Sequence, residues 1–145
     1  MKPVPMIAVL TALFCASAAQ AASNPPNIIG TWKPTGDSAA ARIGEALAGW
    51  AATPQADLTV RFAPSVIIDQ QQGRSIAGRL LLADGKSEPL VGVFKRDGKH
   101  IIMSSASGAA TGDLTGGEME WCWTDTVPSI IVAVCHTLRK EPMKH

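Results

Sequence analysis

Between Glu118 and Lys140 the chain concentrates the side chains most able to do chemistry: Cys122, Cys135, His136, Trp121 and Trp123, with Glu118 and Glu120 beside them. Two thiols and an imidazole suggest a metal site. Zinc, however, takes four ligands, or three plus water, at recognisable spacing, and no CxxC or HxxxH pattern is present. Two cysteines in an oxidising compartment form a disulfide instead. A cysteine so engaged is a poor nucleophile. There is no Gly-x-Ser-x-Gly elbow, no metal-ligand pair at helical spacing and no phosphate loop. The residues predict no catalytic group, no metal and no cofactor, and hence a protein that is not an enzyme. Glu118 and Glu120 read as a solvated face rather than an acid–base pair.

The compartment follows from the first residues. Lys2 precedes an apolar run, Ile7 to Cys15, and Ala19 and Ala21 are the small residues that a signal peptidase reads. This predicts a signal peptide over residues 1–21, cleaved after Ala21, and a single β-barrel domain over residues 22–145. Acylation at Cys15 is disfavoured because bulky Phe14 precedes it. No other stretch is apolar for long enough to cross a bilayer as a helix. The whole chain carries 13 basic and 12 acidic side chains. Cleavage removes Lys2 and leaves the two signs equal, which argues against nucleic acid or an anionic membrane as partner. Cleavage also removes Cys15, so the cysteine count becomes even. The expected location is the periplasm or the exterior.

Elements that could position the cluster are legible nearby. Met119, Trp121 and Trp123 alternate with Glu118, Glu120, Cys122 and Thr124, and Ile130 to Arg139 is a β-branched run; both read as strands. Placing Cys122 opposite Cys135 sets Glu118 against Arg139, Glu120 against Thr137, Met119 against Leu138, Trp121 against His136 and Trp123 against Val134. That register sorts charge outward and apolar bulk inward, and a slip of one residue undoes it. Upstream, strands are expected over Asn27 to Lys33, Leu58 to Asp69, Arg74 to Leu82, Leu90 to Lys95, Lys99 to Ser104 and Ala109 to Thr115. Asp84-Gly85, Asp97-Gly98 and Gly116-Gly117 mark turns between them. The pattern predicts an all-β protein, an antiparallel up-and-down barrel of about eight strands. One short helix is expected in the first connection, within Asp37 to Ala52, with Ile43, Leu47 and Trp50 facing the barrel.

Gly30-Thr31-Trp32 on a first strand ahead of such a meander resembles the lipocalin and avidin-like barrels, the calycins. The resemblance implies that Trp32 plugs one barrel end with Arg139 packed across it. Thr124-Asp125 is similar to the lipocalin Thr-Asp pair, though nearer the C-terminus. The avidin biotin motifs are absent, so biotin binding is not implied. Val66 to Gly78, Glu88 to Phe94 and Met119 to Cys122 also resemble a family of small secreted bacterial proteins of unassigned function.

Two functions follow from these readings. In the first the barrel binds a small, largely apolar ligand, with Trp121, Trp123, His136 and Trp50 lining the site and the small residues of Ser104 to Gly117 leaving room. In the second the barrel is a filled scaffold that meets an envelope protein, as an interaction or inhibitor module.

Overall fold

The computed structural model describes residues 24–44, 56, 58, 63–125 and 130–142. Eight antiparallel strands run β1 (Gly30–Gly44), β2 (Ser65–Gln72), β3 (Ser75–Leu81), β4 (Ser87–Phe94), β5 (His100–Ser105), β6 (Gly108–Thr115), β7 (Glu118–Asp125) and β8 (Ile130–Lys140). They are ordered around a closed barrel as in the chain, β1 pairing with β8. This architecture is consistent with a calycin. The expected signal peptide lies outside the described residues. No helix among the described residues is long and apolar enough to cross a membrane.

Turn chemistry connects the meander as the sequence implies. At the β4–β5 turn the Asp97 carboxylate accepts the backbone N–H groups of Lys99 and His100 at 2.9 and 3.0 Å. Those bonds, led by the one from His100, hold the carboxyl well below its ordinary pKa. Asp84 plays the same part before β4, accepting the Lys86 N–H at 3.0 Å. Pro64 stands just ahead of β2, where its missing N–H costs no ladder bond.

Through Gly44 the chain departs from expectation, while residues 45–52, where the rest of the expected helix falls, lie outside the described residues. Residues 37–44 do not form the start of a helix; they continue β1 as strand, pairing with β8 from Ser38↔His136 to Gly44↔Ile130. Ala, Arg and Ile there favour helix weakly. The long β-branched strand β8 offers a complete row of backbone partners, and that tertiary pairing outweighs local propensity. Ile43 lies opposite Ile131, on the outer face, rather than toward the interior. Leu47 and Trp50 lie outside the described residues. The second strand is also displaced, covering Ser65–Gln72 where Leu58 to Asp69 is expected.

Trp32 closes one end of the barrel, 3% exposed. Its indole N–H donates to the Ile28 carbonyl at 2.9 Å, and Ile28 is buried with it. Gln71 clasps this leader: its side-chain oxygen accepts from Ile28 N at 2.9 Å and its amide donates to the Pro26 carbonyl at 3.0 Å. Arg139 does not cross Trp32. It points outward and pairs with Glu118, because Leu138 takes the inward position and parity puts the next residue outside. Lys140 is the register partner of Trp32.

Candidate functional site

Strands β7 and β8 carry the cluster in the register that the sequence predicts. Cys122 and Cys135 are bonded, and Trp121↔His136 and Trp123↔Val134 are cross-strand pairs. The disulfide lies on the outer face. Trp121, Trp123 and His136 point inward, at 0%, 3% and 4% exposure. The two indoles stack with centroids 5.5 Å apart, and the imidazole tilts against Trp121 at 5.0 Å. The structure thus joins three of the four predicted lining residues; the fourth, Trp50, is not among those described.

The packing around them is tight. Gly108 and Gly112 on β6 face the aromatic strand. A Cβ on Gly108 would collide with the Trp123 ring, and one on Gly112 would sit 3.0 Å from Met103 Cε and Met119 Sδ. The small residues of β6 therefore leave room for bulky side chains on the adjacent strands β5 and β7, large beside small as close packing requires. Leu80, Leu90, Phe94, Ile101 and Leu138 complete the core, each nearly inaccessible. Two recesses of about 280 Å³ each are lined wholly by described residues. One lies beside the leader at Asn27, Ile29 and Gln71, and the other on the outer wall over Ala39, Ala41, Ala133 and Cys135.

Polarity in this core is unbalanced. Trp121 Nε1 and both ring nitrogens of His136 have no hydrogen-bond partner. Leaving such groups unpaired costs about 1–3 kcal/mol apiece. Burial pushes the His136 pKa down, so the ring is held neutral. Among the described residues no group of three His, Cys, Asp or Glu side chains is placed to hold a metal.

Two features are missing from the sequence reading. The first is a carboxylate at the mouth opposite Trp32. Glu88 accepts from Ser105 Oγ at 2.5 Å and from Ser107 N and Oγ at 2.6 Å, tying β4 to the β5–β6 turn. Desolvation raises its pKa, but these hydrogen bonds together outweigh it and the net shift is downward. The stabilisation is therefore present above the ordinary carboxyl range near pH 4.5 and is lost as pH falls through the depressed value. Glu88→Gln is expected to lower stability by about 1–2 kcal/mol at pH 7 and to flatten the loss below pH 4.5. Urea unfolding at both pH values checks this. Nothing short of the fold links Glu88 to Ser107, nineteen residues on.

The second is an apolar outer wall. Val91, Val93 and Ile102 are 60%, 49% and 49% exposed, and Val93 pairs with Ile102 across β4 and β5. Ala77, Ser104 and Thr111, their register partners, carry no charge. The signal was available, since Leu90 to Phe94 and Ile101-Ile102 are apolar at both parities and cannot all face inward. The chain matches no family model, no curated protein and no solved structure.

Proposed function

We propose that this is an exported, non-catalytic barrel that acts as an interaction module, meeting an envelope protein through its outer wall. The observation that carries the reading is an uncharged, exposed Val91–Val93–Ile102 wall over a core whose aromatics are tightly packed. Contiguous β-branched surface of this kind favours protein contact over solvent. The disulfide accords with an oxidising, exported setting. A photo-crosslinking residue replacing Val91 or Ile102 is expected to yield one discrete adduct in the exporting cell. The same residue replacing Thr137, on the far side of the barrel, is expected to yield none. Equal labelling from all three positions would remove the basis for the reading.

Ligand binding is a second reading, favoured by the unpartnered Trp121 and His136 nitrogens. A small apolar molecule with a polar end would satisfy them. It predicts a stoichiometric adduct in native mass spectra of protein from its own host, lost in Trp121→Ala.

A further inference from the structure

His136 sits beside an irregularity in the β1–β8 ladder. Its partner on β1 is Ser38, the first residue after the β1–β8 register breaks between Pro34 and Ser38. Ser38 is exposed, and Ala39, Ala40 and Ala41 follow it, so among the described residues the β1 wall beside His136 is built of small side chains. On its other side β1 pairs with β2 only over Gly30–Trp32 among the described residues. The imidazole is 4% exposed with both nitrogens unpartnered.

The electrostatic surroundings are nearly empty. The inward neighbours are Trp121, Trp123 and Met119 on β7, and Val134 and Leu138 on β8. From β1 the same face presents Ser38 and Ala40, then Arg42, whose register partner is Val132. Asp125 ends β7 beyond Trp123. Across the barrel β2, β3, β5 and β6 turn Ile68, Ile76, Met103 and Ala110 inward, while β4 brings Phe94, Leu90 and finally Glu88, which is held by Ser105 and Ser107. Glu120, opposite Thr137, and the Glu118–Arg139 pair lie outside the wall. No described carboxylate is placed to accept a proton-bearing His136 in the closed barrel.

We propose that the β1–β8 seam at Ser38 and His136 is an acid-operated latch, in which protonation of the imidazole drives the ring out past the small-residue wall and parts the two strands. The inference does not depend on the partner reading above. Its sign follows from linkage. In the opened seam the ring is solvated, with an ordinary pKa of about 6.5. Closed, burial holds its pKa lower. Above pH 6.5 neither state takes a proton and opening is independent of pH. Below it only the opened state does, and opening grows by up to tenfold per pH unit.

Amide hydrogen exchange on the mature protein at pH 7.5 and pH 5.5, corrected for intrinsic exchange chemistry, tests this. The expected result is about tenfold faster opening across residues 38–41 and 134–138, with β3 to β5 unchanged. Both His136→Phe, which fills the same space without titrating, and His136→Gln, which stays polar without titrating, are expected to abolish the increase. Wild-type exchange that ignores pH at the seam, or that rises equally over the whole barrel, overturns the latch. So does a variant of either kind that keeps the tenfold response.

Discussion

Trp121→Ala is expected to destabilise the protein by about 3–5 kcal/mol, read as a lowered urea midpoint at unchanged slope. Trp121 is fully buried, stacked on Trp123 and tilted against His136. Its removal leaves a hole that rigid strands cannot collapse into, so lost transfer energy and lost contacts add. The unpartnered indole N–H disappears at the same time, which returns part of the cost. A loss under about 1.5 kcal/mol would mean that the interior around this ring is loose, and would favour the ligand reading. Val91→Ala provides the contrast. That side chain is 60% exposed, and its truncation is expected to stay within about 0.5 kcal/mol while weakening any partner contact.

The double replacement Cys122→Ser, Cys135→Ser is expected to cost about 3 kcal/mol. The bridge spans 13 residues and lies on the outer face between half-buried positions. Serine hydroxyls there remain within reach of water, so no buried orphan is created. The loss therefore lies mainly in the greater freedom of the unfolded chain. Denaturation with and without reductant measures the same quantity in the unaltered protein, with alkylation and intact mass confirming the thiol count. A difference below about 1 kcal/mol would indicate that the unfolded chain already holds this hairpin.

The C-terminal hairpin was the most legible part of the sequence, because the two cysteines and the Met119-Trp121-Trp123 alternation demand one register. The tight turns were legible for a local reason, since Asp84 and Asp97 make their bonds within three residues. The far half of β1 was not. Ala39, Ala40 and Ala41 carry no strand signal, and their conformation is dictated by β8, nearly a hundred residues away. Arg139 turned on parity. Carrying the hairpin register one strand further gives Lys33↔Arg139 and Trp32↔Lys140, which puts the arginine outside. The inward aspect of Trp121, Trp123 and His136 could be read from alternation, but the room left for them could not. That depends on Gly108 and Gly112 falling beside them on the neighbouring strand, and alternation within one strand does not say which small residue meets which large one.

The β1–β8 ladder joins the first strand of the chain to the last. In a chain made from its N-terminus the first strand appears first, and its partner on β8 appears last. Every other ladder joins strands that are neighbours in sequence, and from β2 onward the connections are short. The closing ladder carries the longest loop entropy of the fold, so it sets the slow step. Until β8 arrives the nascent sheet has two open edges, the condition in which strands of different chains pair with one another. Time spent as an unclosed ribbon is the interval in which such cross-pairing competes with closure.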